Sequence, residues 1–194
     1  MSTAAVRRPR LDREQVVAAA ESTVDEAGWD GLTMAALAAR LGMRAPSLYN
    51  HVANVEALRA EVQNRTMIQL GRELANAAMG RIGRDGFAEM ALTYRSYALR
   101  HPHRYDGVTR APIDRDAFGV AAEPANAALS AIVRSYGVEP DEILLAQLAV
   151  FASLHGAVAL EINGFFGNVV DPDRLYHSVV DAADRHLLAL AAST

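Results

Sequence analysis

The stretch LGMRAPSLYNHV, residues 41–52, places a glycine and a proline ahead of a run of hydrogen-bonding side chains. Gly42 suits the end of one helix. Pro46 suits the first turn of the next, where its missing N–H has no helical partner to lose. On a helix over 45–51, Leu48 faces inward. So short an element has little stability of its own, which indicates that it contacts a partner through its polar side chains: Ser47, Tyr49, Asn50 and His51.

Helix signals also precede this stretch. Asp12, with a glutamine three residues later, has the spacing of a capping box and predicts a helix over about 12–27. Thr33 is the expected cap of a second helix, 34–41, which ends at the glycine. Two short helices joined by a tight turn and packed on a longer first helix are typical of a helix-turn-helix, here over about 33–52.

The rest of the chain also predicts helices, and no segment shows convincing strand alternation. We therefore predict an all-α fold with two domains, an N-terminal unit over 10–70 and a larger helical domain over 80–192. Residues 100–114 are interpreted as a loop or a short irregular helix. The expected helices are 55–79 after a cap at Asn54, 86–100, 115–136 with a break at Pro124, 140–166 and 172–191.

Composition excludes several classes of protein. Apolar residues make up 51% of the 194 and charged residues 22%, as in a soluble folded chain. Because there is no cysteine, disulfides, thiolate metal sites and cysteine nucleophiles are excluded. No secretory signal is apparent, which predicts a cytoplasmic protein. No nucleophile elbow, metalloprotease motif, phosphate loop or dinucleotide fingerprint occurs, so we expect neither an enzyme nor a cofactor.

The distribution of charge says more than the formal net charge of −4. All 19 basic residues are arginines, and the acid-free windows 1–10 and 31–55 both lie in the N-terminal third. Residues 143–160 run without a charge for the length of a membrane span. However, polar Gln147 and His155 interrupt them and acidic residues flank them, so a helix buried on two sides of a soluble assembly is favoured.

The outward side chains of the third helix suit DNA. Asn50 can pair with adenine and Arg44 with guanine, Ser47 bonds to either kind of base, and Ala45 can meet a thymine methyl. Tyr49 and His51 can donate to phosphate, as can the backbone amides of the helix after Thr33. The alternative is a surface turn with ordinary polar residues.

The segment GLTMAALAARLGMRAPSLYNHVANVEAL, residues 31–58, resembles the DNA-binding signature of the tetracycline-repressor (TetR) family of bacterial regulators. The resemblance lies in Leu32-Thr33, Leu37-Ala38, Leu41-Gly42 and Ser47-Leu48-Tyr49-Asn50-His51. It implies an all-α protein whose first three helices bind DNA and whose larger domain dimerises and usually binds a small ligand.

Site residues follow from the same resemblance. Thr33 and Tyr49 match the family's phosphate contacts. One position departs from the pattern, because Val55 stands where the family typically has a lysine that touches phosphate. The base-facing positions are occupied by Arg44, Ala45, Ser47 and Asn50, and a basic arm along DNA is implied for Arg7, Arg8 and Arg10.

The C-terminal half has a second likeness. FASLHGAVALEINGFF, residues 151–166, resembles the long helix of a TetR subgroup with a Trp-x-x-x-His-Gly motif, with Phe151 in place of the tryptophan. Helices 140–166 and 172–191 are expected to pack on a twofold partner as a four-helix bundle. Six residues are interpreted first as plain core, with a ligand pocket, which the resemblance leads us to expect, as the alternative: Met90, Tyr94, Tyr97, Phe118, Phe151 and His155. The His101-x-His103 pair is interpreted as a packed loop, not a metal site.

These observations predict a homodimeric regulator of transcription, most simply a repressor that leaves a near-palindromic operator when a small molecule binds. An activator or a partner-controlled regulator of the same fold is the first alternative. A ligand-binding helical protein whose helix-turn-helix is vestigial is the second. The identity of the effector does not follow from the sequence.

Overall fold

The computed structural model describes residues 11–193, and these residues form helices and connections with no strand among them. The predicted all-α fold class is confirmed. In chain order the helices are α1 Arg13–Ala27, α2 Met34–Arg40, α3 Ala45–Leu48, α4 Val55–Ala78, α5 Gly83–Arg100, α6 Pro102–Thr109, α7 Arg115–Ser135, α8 Ile143–Ile162 and α9 Pro172–Ala192.

The predicted caps of the first helices are present. The Asp12 side chain accepts from the Gln15 backbone N–H, and the Gln15 side chain accepts in return from Asp12, which completes the capping box. Thr33 accepts from the Ala36 N–H at 3.1 Å, and Asn54 accepts from the Ala57 N–H at 2.8 Å. These local bonds satisfy backbone donors that have no partner inside the helix, so they fix where α1, α2 and α4 begin.

Two helices end earlier than predicted. α3 ends at Leu48 instead of residue 51, because the N–H groups of His51 and Val52 both donate to the Leu48 carbonyl and turn the chain. α8 ends at Ile162 instead of residue 166, because Gly164 takes a left-handed conformation with φ 63° that an L side chain rarely adopts.

Three segments are more helical than predicted. α5 begins at Gly83 instead of residue 86, and residues 102–109 form α6, where a loop or an irregular helix was expected. α7 continues through Pro124, where a break was predicted. The helix is held there by close packing on α4, since a Cβ added at Gly71 would lie 3.2 Å from the backbone nitrogen of Ala125.

Two hydrophobic clusters lie along the chain, and α4 contributes to both. The first cluster joins α1, α2, α3 and the start of α4, with Leu37 and Leu48 fully buried at its centre. The second joins the rest of α4 to α5 through α9 around Phe87, Tyr97 and Leu187. A displacement of α4 therefore reaches both clusters, because each packs on a different part of the same helix.

α6 lies between the two clusters and touches both. The Trp29 ring, which belongs to the first cluster, packs so closely on α6 that a Cβ added at Gly107 would lie 2.2 Å from it. Gln63 of α4, 1% exposed, donates to the Gly107 carbonyl at 2.9 Å and to that of Ala111 at 3.4 Å. Its Oε1 accepts from the Ile113 N–H at 3.1 Å. The C-terminal end of α6 is thus bound by a side chain buried in α4.

Ion pairs add a second connection between α6 and the N-terminal helices. The Arg104 guanidinium binds the Asp25 carboxylate of α1 through two nitrogens, one of them at 2.7 Å. Arg110 donates to both oxygens of Asp30, at 3.2 and 3.4 Å, and to Asp106 at 2.9 Å. α6 is therefore joined to α1 and to the turn that follows it by charged groups as well as by the Trp29 contact.

The contact between Trp29 and Gly107 leaves no space for a methyl group. We expect Gly107→Ala to lower the free energy of unfolding by about 1–3 kcal/mol, because the Trp29 ring and α6 must move apart. Gly119→Ala is the matched control, since a Cβ there meets no atom within 4 Å and the change should raise stability by up to about 1 kcal/mol. Denaturant unfolding measures both, and equal effects would contradict the close contact.

Candidate functional site

The surface of α3 and the following turn is polar, and a single buried side chain of α3 packs it onto the first cluster. Leu48 is fully buried, whereas the phenol ring of Tyr49 is 56% exposed. Arg44, Ser47 and Asn50 are exposed, while Ala45 and His51 are half-buried. The buried leucine orients the element, and the remaining side chains face solvent around it. The geometry therefore brings together the α3 residues that the sequence singled out.

These polar side chains have no partners within the described part of the chain. None of Arg44, Ser47, Tyr49, Asn50 and His51 makes a side-chain hydrogen bond or an ion pair there. By contrast, the other described arginines of this unit are paired: Arg13 with Glu61, Arg40 with Glu26, Arg59 with Glu56 and Arg65 with Glu14. Arg44 thus keeps its five guanidinium donors available to an external acceptor.

Thr33 and Val55 mark the two flanks of this surface. The Thr33 hydroxyl oxygen caps α2, so its own proton and the nearby backbone amides are the donors that remain for a phosphate. Val55 is half-buried against the first cluster and supplies no charge. The next residue, Glu56, is neutralised by Arg59 at 2.7 Å. The predicted arm of Arg7, Arg8 and Arg10 lies outside the described residues.

A cavity of about 1020 Å³ lies among α4 to α8 in the second cluster. Its size is at the upper end of the range of about 300–1,000 Å³ that is typical of small-molecule sites. Met90, Tyr94, Phe118 and Phe151 line it, as the sequence analysis placed them. Tyr97 and His155 do not line it.

The other two predicted pocket residues, Tyr97 and His155, bond to neighbouring side chains outside the cavity lining. Tyr97 is fully buried, its hydroxyl donates to Gln69 of α4, and its ring contacts that of His101 at a tilt of 47°, with 4.9 Å between centroids. His155 lies behind Phe151, which lines the cavity. Its Nδ1 is 2.6 Å from the hydroxyl of Tyr105, and its ring stacks on Phe151 with 5.7 Å between centroids.

A chain of three polar side chains connects α8 to the cavity. His155 Nδ1 bonds to the Tyr105 hydroxyl, which in turn lies 2.8 Å from the Tyr94 hydroxyl. Burial raises the pKa of Tyr105 to about 12 and also raises that of Tyr94, so both phenols stay protonated. Burial lowers the pKa of His155, which favours the neutral imidazole. The direction in which the two hydroxyls donate their hydrogen bonds can reverse when the imidazole proton moves from one ring nitrogen to the other.

Sequence reasoning missed the contribution of α6 to this site. Three residues at the end of α6 and just after it line the cavity: Val108, Thr109 and Arg110. The Tyr105 hydroxyl, also from α6, bonds to that of Tyr94. These residues fall in the segment interpreted as a loop. The available signal was Pro102, which suits the first turn of a helix and stands ahead of eight residues without another proline or a break.

Family models match both parts of the chain. Residues 16–62 match the model described as bacterial regulatory proteins of the tetR family, and residues 87–183 match a tetracyclin repressor-like C-terminal domain. A curated relative, an uncharacterized HTH-type transcriptional regulator of Mycobacterium tuberculosis, is 39% identical over 178 residues. That match covers 90% of this chain and 81% of the relative.

Solved structures share the fold. The structure of BioQ with its natural double-stranded DNA operator has a TM-score of 0.70 at 22% identity, covering 93% of this chain and 99% of that one. A TetR variant from Acinetobacter baumannii in complex with minocycline has a TM-score of 0.65 at 23% identity, covering 95% of this chain and 96% of the other. At these identities the likeness establishes the arrangement of helices.

Proposed function

The chain belongs to the TetR family of bacterial transcriptional regulators, which bind DNA through a helix-turn-helix, and on that premise we propose that it is a repressor released by a small molecule. It acts in the cytoplasm as a homodimer on a near-palindromic operator, and it is not an enzyme. The observation that carries the proposal is the unpaired polar surface around the buried Leu48. A folded chain gains nothing for its own stability from holding an unpaired arginine, tyrosine and asparagine side by side.

Each protomer supplies one α3 surface to the operator. Arg44, Ser47 and Asn50 contact base edges, with Ala45 against a thymine methyl, while Thr33, Tyr49 and His51 contact phosphates. Arg7, Arg8 and Arg10 extend the contact along the backbone of the DNA. A twofold dimer places its two recognition helices about 34–36 Å apart, one turn of B-DNA, which is why the operator is near-palindromic.

The dimer forms through the outer faces of α8 and α9. α8 has a mean hydropathy of 2.0 in its most apolar window and meets the length and composition of a membrane span, yet only 28% of that window is buried in the protomer. Leu145 is 65% exposed there, and Ala152 and Ala182 leave a face of small side chains on which helices can pack closely. A second copy covers this apolar area in a four-helix bundle.

The effector occupies the cavity among α4 to α8, against Met90, Tyr94, Phe118 and Phe151. Its location next to α6 and α4 supports the proposed release, because both helices also contact the DNA-binding unit. The minocycline complex of the related fold supports a small-molecule effector. An effector that binds one arrangement of α6 more tightly than another shifts the separation of the two recognition helices and weakens the operator complex.

The operator contact is tested with two changes on the α3 surface. Genomic fragments are selected with the purified protein at about 150 mM salt, near physiological ionic strength, and then sequenced. We expect Asn50→Ala to relax base preference at one operator position, at a cost of about 1–3 kcal/mol. Tyr49→Phe should weaken all sequences alike, since it loses a phosphate contact. If the wild-type protein selected no palindrome and both variants bound as well as it does, the vestigial alternative would replace this proposal.

The missing cation at Val55 gives a second test. Val55→Lys should steepen the dependence of log Kobs on log salt by about 0.9 for each protomer, because one more phosphate is neutralised. Asn76→Lys, exposed near the other end of α4, is the control with the same added charge. Fluorescence anisotropy over a salt series measures both slopes, and the same slope for both variants would place residue 55 away from the DNA.

The dimer is tested on the outer face of α8. Ala152→Arg should convert the protein largely to monomer, because an arginine would lie in the apolar contact between the two copies. The helical circular dichroism should remain, since Ala152 is exposed in the protomer. Met79→Arg, 71% exposed at the end of α4, is the control. Light scattering reports the molar mass, and an unchanged dimer in Ala152→Arg would contradict the proposed interface.

A further inference from the structure

The walls of the cavity are apolar over most of their length. Leu70, Leu74, Phe87 and Met90 line one part, and Leu154 of α8 lies among them. These residues also belong to the second hydrophobic cluster or pack against it, so the cavity is an extension of the core. A molecule that fills this part must present an apolar surface, because every polar group it buries there needs a partner that leucine, phenylalanine and methionine do not supply.

Two arginines line the same cavity at the junction of α6 and α7. Arg110 follows α6 and Arg115 begins α7, with residues 111–114 between them. Arg115 makes no hydrogen bond to a carboxylate and no ion pair within residues 11–193. Of the neighbouring acids, Asp114 is engaged as the cap of α7 and Asp116 does not line the cavity. Arg115 therefore lines an apolar cavity with its guanidinium donors unpaired within residues 11–193.

The carboxylate that does line the cavity is far from this end. Glu123 lies eight residues beyond Arg115 on α7, which corresponds to about 12 Å along a helix. Its charge therefore does not cancel that of Arg115 at short range. The arginines and the carboxylate that line the cavity therefore lie apart, with Arg110 and Arg115 next to α6.

Arg110 has two roles, since it lines the cavity and also binds the DNA-binding unit. Its bonds to Asp30 are long, at 3.2 and 3.4 Å, and the Asp30 side chain is 79% exposed. Exposed ion pairs of this kind contribute little to stability. An anion that enters the cavity at this end meets a guanidinium that can leave Asp30 without a large cost, because a planar arginine fork binds a carboxylate or a phosphate equally well.

We propose, on the premise that the cavity is the effector site proposed above, that the effector is an elongated amphipathic anion. Its apolar body fills the cavity, and its carboxylate or phosphate head group binds Arg115 and Arg110. The head group competes with Asp30 for Arg110. Binding therefore breaks the ion pair between the end of α6 and the turn after α1, and the DNA-binding unit loses one of the contacts that hold it to the cavity.

The charge preference is tested with four probes that share one alkyl chain: dodecanoate, dodecyl phosphate, dodecanol and dodecylamine. Binding to the DNA-free dimer is measured by calorimetry at neutral pH. We expect at least one of the two anions to bind about tenfold more tightly than dodecanol, and dodecylamine to bind most weakly. The comparison of dodecanoate with dodecyl phosphate identifies the head group. Equal affinity for the anions and dodecanol, tighter binding of dodecylamine, or no binding of any probe would overturn the proposal.

Variants then assign the head-group site. Arg115→Gln should reduce the preference for the anion over dodecanol to about threefold or less. Arg134→Gln is the matched control, because it removes an exposed arginine from the other end of α7, away from the cavity. An unchanged anion preference in Arg115→Gln would show that the anion is bound elsewhere.

The competition with Asp30 has a separate readout. Asp30→Asn should raise the affinity for the preferred anion about threefold, because Arg110 then has one competing carboxylate, Asp106, instead of two, and it should leave dodecanol unaffected. An anion affinity unchanged by Asp30→Asn would overturn the competition. Selection of an operator uses the protein without a probe, so failure of the proposed regulator and failure of the proposed effector class give different results.

Discussion

The packing of the Trp29 ring on the backbone of Gly107 is the contact on which the rest of the structure depends. It joins Trp29 of the first cluster to α6, which contributes Tyr105 to the second cluster, and it is possible because residue 107 has no side chain. Gln63 makes three hydrogen bonds from inside α4, one to Gly107 of α6 and two to Ala111 and Ile113 in the segment that follows α6. A buried amide that is fully satisfied rigidifies its surroundings, so α6 moves as a unit with the residues it binds.

The arginines of this lysine-free chain fall into two groups with different purposes. Most of those described bind a carboxylate, and several of these pairs join elements distant in sequence, as Arg104 does with α1 and Arg95 with Glu161 and Asp173. The others bind none within residues 11–193, and two of them are Arg44 and Arg115. One stands on the surface of α3 and the other at the cavity. The same side chain therefore joins elements of the fold where it is paired, and at these two positions its donors have no carboxylate partner.

The sequence predicted the helices whose limits depend on local chemistry and missed those that depend on packing. The Asp12 capping box, the Thr33 cap and the buried Leu48 follow from neighbouring residues, so the helix-turn-helix was predictable. α6, the uninterrupted α7 at Pro124 and the exclusion of Tyr97 and His155 from the cavity depend on partners in other helices: Trp29, Gly71, Gln69 and Tyr105. No local pattern carries that information, because it resides in which surfaces meet.

The contacts between α6 and the N-terminal helices also limit whether the two domains can be exchanged separately. A chimera that joins the helix-turn-helix of this chain to the ligand domain of another would separate Trp29 from Gly107, Asp25 from Arg104 and Asp30 from Arg110. The functional unit of exchange is therefore not the N-terminal domain alone. Transplanting it together with the surface of α6 that faces it would preserve all three of these contacts.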